Sequence, residues 1–239
     1  MAKVFIEENS LTAIGNAIRG KTGESALLSP AAMVTAIEGI ETGGGSGNTD
    51  IEDKIIAGEL SGEYTNNRVT KIKNDLFQYN ELTSVSFPNV IKIGGSAFEG
   101  CTKLTSINFP KVTEIGAACF NACNQLTSVI LPNATIINTS LTGAFSFCAK
   151  LTFVDLPKVT KIPKSCFNYS TRLITLILRK TDAITALENI SAFNNTPIKD
   201  GTGYIYVPAA LLETYKTATN WVTFAAQFRA IEDYPDICG

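Results

Sequence analysis

A seven-residue phrase returns five times between residues 82 and 179 and constrains the fold more than any other feature of the chain. The leading leucines of the copies lie 22, 22, 25 and 22 residues apart. A fixed period in the low twenties indicates a solenoid, in which stacked units bury a continuous core that no single unit could bury. The copies are Leu82-Thr-Ser-Val-Ser-Phe-Pro88, Leu104-Thr-Ser-Ile-Asn-Phe-Pro110, Leu126-Thr-Ser-Val-Ile-Leu-Pro132, Leu151-Thr-Phe-Val-Asp-Leu-Pro157 and Leu173-Ile-Thr-Leu-Ile-Leu-Arg179.

Each copy alternates apolar and polar residues, which predicts a strand with one buried face and one outward face. In the first copy Val85 and Phe87 face the core, while Ser84 and Ser86 face outward. The proline ends the strand, and a second short strand and a helical or irregular return lead to the next copy. We therefore predict an α/β fold, a leucine-rich-repeat solenoid with units of about 22 residues, a small helical N-terminal module and a helical C-terminal cap.

The composition excludes several functional classes. The 239 residues carry a net charge of −2 with scattered basic side chains, which argues against nucleic-acid binding. The chain has no histidine, so histidine triads and Cys/His zinc sites are impossible. No apolar run approaches the roughly 18 residues that a membrane span requires, so no membrane insertion is expected. We predict no catalytic, cofactor or metal site.

The six cysteines recur at fixed positions of the units, which favours buried free thiols over disulfides. Three of them stand three residues after the phenylalanine of their unit, and two stand one residue before it. Metal binding is a third alternative, but no Cys-x-x-Cys pair supports it. The first group is Cys101, Cys123 and Cys148, the second is Cys119 and Cys166, and the sixth cysteine is Cys238.

A glycine-rich stretch at residues 41–50 predicts a flexible linker and the clearest domain boundary. Before it, residues 1–40 are predicted to form a small helical docking module, with Ser10 and Ser29 as N-caps of two short amphipathic helices. Helices this small bury little alone, so we expect them to pack on each other or on copies from other subunits. The docking residues are Leu11, Ile14, Ile18, Met33 and Ile37.

The solenoid is assigned to residues 51–208, beginning with an N-terminal cap. That cap is predicted to contain a helical turn or two from Asp50 and a hairpin around Asn66-Asn67. Residues 209–239 are assigned to a helical C-terminal cap, with one helix over residues 209–216 and a second apolar element of helical spacing from Trp221 to Ile231. The alternative for these aromatic residues is a ligand platform.

The outward strand face is where a binding surface is expected, and its character changes along the chain. One column is polar in the early units and apolar in the later ones, and an apolar patch on an open sheet indicates that something covers it. The cover is either the chain's own C-terminal helix or a neighbouring subunit, and the alternative is a ligand site. Three extra residues within residues 136–143 form either a tolerated loop or part of a binding face. The candidate binding residues are Asn108, Ile130, Phe153, Asp155 and Ile177.

Three stretches resemble known families. Ile93-Gly-Gly-Ser-Ala-Phe-Glu-Gly-Cys101, repeated at residues 115–123, is similar to the BspA-like (Treponema-type) leucine-rich repeat of bacterial and phage surface proteins. Residues 205–221 are similar to the usual ending of such arrays. Residues 11–23 and 28–33 look like a segment of tail-associated proteins from phages of Gram-positive hosts. The fifth unit departs from the repeat pattern, because Arg179 replaces the proline and the Ile-Gly-x-x-Ala-Phe segment is lost.

The resemblance implies a non-enzymatic phage virion protein, a tail fibre or tail-tip component. Its N-terminal module would bind other virion proteins, and its solenoid would bind a glycan or protein of the host surface. We expect assembly in the host cytoplasm, since acidic residues stand where a secretory signal would carry its apolar core. A homo-oligomer is expected, and phage fibres are often trimers. The alternative is a bacterial cell-surface adhesin or protein-interaction module of the same repeat family.

An enzyme, such as a glycan hydrolase, is the third class of function considered. It would need two carboxylates facing each other at catalytic separation, and Asp155 is the only acid in the outward column. We therefore expect no enzymatic activity.

Overall fold

The computed structural model describes residues 59–238 together with Ile51, Lys54 and Ile55. The helical module predicted for residues 1–40 and the linker predicted for residues 41–50 lie outside the described residues. No helix among the residues described is long and apolar enough to cross a membrane.

Fourteen strands in the described part of the chain form two rows that run through the repeat units, and the hydrogen-bonded strand pairs within them are parallel. In chain order the strands are β1 (Ser61–Thr65), β2 (Lys71–Ile72), β3 (Glu81–Ser86), β4 (Lys92–Ile93), β5 (Ser106–Asn108), β6 (Glu114–Ile115), β7 (Ser128–Ile130), β8 (Ile136–Ile137), β9 (Phe153–Asp155), β10 (Lys161–Ile162), β11 (Thr175–Ile177), β12 (Ala186–Leu187), β13 (Tyr204–Val207) and β14 (Phe228–Ala230). The main row contains β1-β3-β5 and β7-β9-β11-β13-β14, and the short row contains β2-β4-β6-β8 and β10-β12. This repeat α/β fold with parallel sheets agrees with the prediction, although helices are few.

The register places the same repeat position of every unit in one column. Val85 pairs with Ile107, and Val154 lies between Val129 and Leu176. Inward residues therefore stack on inward residues from unit to unit, and outward residues stack on outward ones.

A ladder of phenylalanine rings fills the core at the turn that follows each short strand. Adjacent rings have centroids 4.9–5.7 Å apart and planes within 15° of each other, which is offset stacking at the spacing of the units. The ladder ends where Trp221 and Phe224 pack against its last ring. The rings belong to Phe77, Phe98, Phe120, Phe145, Phe167 and Phe193, all fully buried.

Three of the cysteines form a second ladder, in which each thiol donates to a backbone carbonyl of the preceding unit. The Sγ atoms of Cys101 and Cys123 lie 3.0 and 3.2 Å from the carbonyl oxygens of Phe77 and Phe98. All six thiols are free and buried, which confirms their interpretation as core residues. Burial raises the pKa of the Cys101 thiol to about 12. The rungs are Cys101 on Phe77, Cys123 on Phe98, Cys148 on Phe120 and, with a hydroxyl, Ser170 on Phe145.

The predicted hairpin around Asn66-Asn67 is wrong. Strand β1 pairs in parallel with β3, and β2 pairs in parallel with β4, so the two segments belong to different rows. The side chain of Asn66 accepts hydrogen bonds from the backbone N–H groups of Arg68 and Val69, which closes a tight turn between the two strands.

The end of the chain is more varied than the predicted helical cap. Residues 228–230, predicted to lie in an apolar element of helical spacing, instead form β14, which pairs with the otherwise open edge of β13. Trp221 is fully buried and its Nε1 donates to the carbonyl of Thr185 at 2.7 Å, so the residue is core and not a ligand platform. The helices after residue 189 are α1 (Pro197–Asp200), α2 (Leu212–Thr217) and α3 (Pro235–Cys238), with 3-10 turns at Ile190–Phe193, Ala209–Leu211, Trp221–Gln227 and Ile231–Asp233.

Candidate binding surface on the main row of strands

The outward face of the main row carries two columns of side chains set by the strand register. In the second column Ser86 pairs with Asn108, and Ile130 pairs with Asp155. The first column is Ser84, Ser106, Ser128, Phe153, Thr175 and Tyr204, and the second is Ser86, Asn108, Ile130, Asp155, Ile177 and Tyr206.

The early part of this face is open. Ser106, Asn108 and Ser128 are exposed, and 57% of Ile130 is accessible. The amide of Asn108 donates to Ser86 Oγ at 2.9 Å, so neighbouring units present linked polar groups. We refer to this part, Ser84 to Ile130 in the two columns, as the open face.

The later part is covered by residues 231–238, which we call the C-terminal segment. Ile177 is completely buried, and Tyr206 and Cys238 are 4% and 3% exposed in a small hydrophobic cluster of their own. Tyr234 packs edge-on against Tyr206, with ring centroids 5.3 Å apart. Of the two covers predicted, the structure therefore shows the chain's own C-terminal end.

A partly buried ion pair anchors this cover. Arg179 donates to Asp155 through Nε and Nη2, at 3.0 and 2.8 Å from Oδ2, and its Nη2 also donates to the carbonyl oxygen of Cys238. These hydrogen bonds raise the pKa of the Arg179 guanidinium above its ordinary value. The arginine that replaces a repeat proline thus joins an acid in the sheet to the C-terminal segment.

The five predicted binding residues are divided between the open and covered parts. Asn108 and Ile130 lie on the open face, and Phe153 is half-buried at its border. Asp155 and Ile177 are buried under the C-terminal segment, so the prediction that they present an outward surface is corrected for these two positions. The binding role of the other three stays a prediction. The predicted docking residues Leu11, Ile14, Ile18, Met33 and Ile37 lie outside the described residues.

Sequence reasoning missed several residues of the covered part. The second column continues to Tyr206, and the guanidinium carbon of Arg229 lies 4.3 Å from the centroid of the Tyr204 ring. Because the second column becomes apolar in its later units, the sequence could have predicted that Tyr206 continues it. Tyr234 and Cys238 follow no repeat pattern, so nothing in the sequence pairs them with a strand.

The chemistry of this surface is that of recognition. The carboxylate of Asp155 is taken up by Arg179, and the open face carries hydroxyl, amide and aliphatic groups. Within the residues described, no group of three metal-ligating side chains comes together.

The parallel rows with their stacked core ladders define a leucine-rich repeat protein. Residues 70–199 match the BspA type leucine rich repeat region in six copies. Because this match covers more than half of the chain, the chain belongs to that family.

Three solved structures are similar to this chain. A leucine rich cell surface protein from Faecalibacterium prausnitzii is 32% identical over 53% of this chain, with a TM-score of 0.43. The Leucine Rich Repeat protein of T. pallidum is 26% identical over 53% of the chain, with a TM-score of 0.40, and a leucine-rich repeat protein from Bacteroides ovatus is 22% identical over 64%, with a TM-score of 0.45. The matches cover 31%, 70% and 45% of those proteins. A search of curated proteins found no match.

Proposed function

We propose that this chain is a non-enzymatic attachment protein whose repeat solenoid binds a partner on the host cell surface as an exposed component of a phage virion, a tail fibre or tail tip. One observation carries the binding part of the proposal. The repeat family presents a regular outward sheet, and this chain covers the apolar half of it while leaving the polar half open. A surface that is regular, mostly polar and uncovered is suited to contact with a glycan or a protein.

The virion part of the proposal rests on the resemblance of residues 11–23 and 28–33 to phage tail-associated proteins. In this proposal residues 1–40 bind other virion proteins, and the protein is a homo-oligomer assembled in the host cytoplasm. Mass spectrometry of purified particles is the direct test. The protein is expected in washed virions at a copy number that is a multiple of its oligomeric state, and its absence from them would remove the virion role.

The attachment role is tested separately with the purified full-length protein and cells of the host strain. Asn108→Arg places a large charge on the open face and is expected to reduce cell binding about tenfold or more. Thr113→Arg, at an exposed position in the same repeat unit just before the short strand β6, is the matched control and should bind like the unchanged protein. Equal binding by both variants would show that the open face is not the contact surface.

The alternative function is a bacterial cell-surface adhesin. It is favoured because the chain belongs to the BspA type of repeat family and its repeats resemble those of bacterial surface proteins. Mass spectrometry of purified particles and of host-cell surface fractions separates the two functions. An adhesin would be found on the surface of cells without induction of a phage, whereas a virion protein would appear with the particles.

A further inference from the structure

One position of the repeat has a left-handed backbone in every unit. It stands two residues after the core phenylalanine, where φ lies between +56° and +70°. Glycine and asparagine adopt this conformation at low cost, and they occupy the position as Gly100 and Asn195, whereas for bulky side chains it is a strained outlier. The six residues in the column are Tyr79, Gly100, Ala122, Phe147, Tyr169 and Asn195.

Two adjacent units carry aromatic residues at this strained position without burying them. Phe147 and Tyr169 stack with centroids 4.8 Å apart and planes 4° from parallel. Even so, 44% and 46% of these residues stay accessible. The stacking of the two rings offsets part of the backbone cost. Core packing does not explain why the aromatic pair replaces glycine or asparagine here.

The same corner of these two units carries two cations. The N–H of Leu151 donates to the Cys148 carbonyl at 3.0 Å, which closes a turn with Lys150 at its tip. The N–H of Leu173 donates to the Ser170 carbonyl in the next unit, also at 3.0 Å, and places Arg172 at the equivalent tip. Each cation therefore follows its aromatic residue by three positions, on adjacent units of the stack.

No acidic side chain in the described part of the chain neutralises these cations. Lys150 Nζ donates to Gln125 at 2.6 Å, and neither Lys150 nor Arg172 has an ion pair with another described residue. By contrast Lys103, which holds the same repeat position as Lys150, pairs with Glu81 at 3.1 Å. Residues 143–151 and 165–173 contain no acidic residue, so the potential at this corner is positive.

We propose that Phe147, Lys150, Tyr169 and Arg172, which we call the aromatic–cation corner, bind a carboxylated polysaccharide. The cations bind carboxylates, with Arg172 able to do so through two parallel hydrogen bonds. The exposed parts of the two rings contact the apolar C–H surface of the sugars. The corner is separate from the open face, and it names a ligand class for the attachment function proposed above, on which it rests.

The exposed aromatic pair favours a sugar chain over an acidic peptide. A polyuronate carries a carboxylate and an apolar C–H surface on every sugar, so one ligand meets both the cations and the rings. The side chains of an acidic peptide supply mainly the carboxylates.

The test is calorimetric titration of the full-length protein with short oligogalacturonate at low and moderate salt. Saturable binding that weakens as salt rises is expected. The repeat column itself supplies a conservative change, Lys150→Gln, which copies Gln125, and Arg172→Gln is its counterpart in the next unit. Each variant is expected to weaken binding about tenfold, since hydrogen bonds to charged groups are lost. Tyr169→Asn copies Asn195, so it should weaken binding while the melting temperature stays equal or rises.

Lys103→Gln and Tyr79→Asn are the matched controls, because they make the same changes in units outside the corner. Absence of oligogalacturonate binding, equal binding of neutral maltooligosaccharide, or an equal loss in the control variants overturns the proposal. Binding of poly-L-glutamate with the same dependence on Lys150 and Arg172 would overturn it in favour of an acidic peptide. Host-cell binding that persists in corner variants but is lost in Asn108→Arg would leave the attachment function standing without this site.

Discussion

Ile130 and Ile177 occupy the same column of the same sheet, two strands apart, yet they have opposite surroundings. Ile130 is 57% exposed on the open face, whereas Ile177 is completely buried under the C-terminal segment. Both strands belong to the same parallel row, and each directs a buried aliphatic side chain inward, Val129 in β7 and Leu176 in β11. The difference teaches that a repeat unit determines the direction of a side chain, and that a segment outside the repeats determines whether the side chain meets solvent.

The part of the face that the C-terminal segment covers also contains two departures from the repeat pattern. Each departure compensates for the other. Asp155 introduces a carboxylate into a column that becomes apolar, and Arg179 removes the strand-end proline. Together they form a bidentate ion pair whose arginine also binds the Cys238 carbonyl. A partly buried charge is tolerated only when it is paired and hydrogen-bonded, so each departure requires the other.

Truncation of each isoleucine in turn is the strongest test of this comparison, and it is expected to give the largest difference in stability. Ile177→Ala removes side-chain atoms packed in the small cluster under the C-terminal segment, and we expect it to lower the free energy of unfolding by about 3 kcal/mol. Ile130→Ala removes exposed atoms and should change stability by less than about 0.5 kcal/mol. Urea unfolding of the two variants measures the contrast. Similar losses in both would mean that the two halves of the face are not differently covered.

Removal of the arginine is expected to have the next largest effect. Arg179→Met leaves Asp155 without its counter-charge and the Cys238 carbonyl without its donor, at a cost of about 2–3 kcal/mol because both side chains keep some access to water. The double variant Asp155→Leu/Arg179→Met should recover most of this loss, since no unpaired charge remains. Thermal unfolding of the single and double variants gives the coupling energy. Additive losses of stability from the substitutions at Asp155 and Arg179 would contradict the idea that the two residues compensate for each other.

Removal of a side-chain donor from the thiol ladder should lower stability equally beneath the open and the covered parts of the face, because the core is continuous. Cys123→Ala and Ser170→Ala each remove a side-chain donor from a backbone carbonyl of the preceding unit, and each is expected to cost about 1–2 kcal/mol. The Phe98 carbonyl keeps its hydrogen bond from the backbone N–H of Cys101. Cys123→Ser keeps a donor and copies Ser170, so it should be milder than Cys123→Ala. A milder effect of alanine than of serine would show that the thiol acts through packing alone.

The smallest effect concerns the order of thiol labelling in the native protein. Burial raises the pKa of the Cys238 thiol, as it raises those of Cys101 and Cys148 to about 12, so all react slowly near pH 8. Exposure of Cys238 requires only that the C-terminal segment open, whereas the core thiols require the repeats to open. Iodoacetamide labelling followed by peptide mass spectrometry should therefore show Cys238 modified first. Simultaneous modification would mean that the segment opens only with the repeats.

The repeat interior followed closely from the sequence, and the ends did not. The period and the alternation predicted the inward column of Val85, Ile107 and Val129, and the recurrence of cysteine predicted a core position. The hairpin at Asn66 and the helical character of residues 228–230 were wrong. Both are single occurrences in which tertiary pairing with a neighbouring strand outweighed the local signal.

Local spacing was enough to determine which residues face the core, because every unit repeats the same backbone and stacks directly on its neighbour. The sequence also showed the two departures at Asp155 and Arg179, but not that they meet. Only the tertiary structure decided which outward residues remain open, because the covering residues 231–238 reach the sheet through contacts that no period encodes. Burial on an outward face depends on a long-range contact, whereas burial on an inward face depends on a neighbour one repeat away.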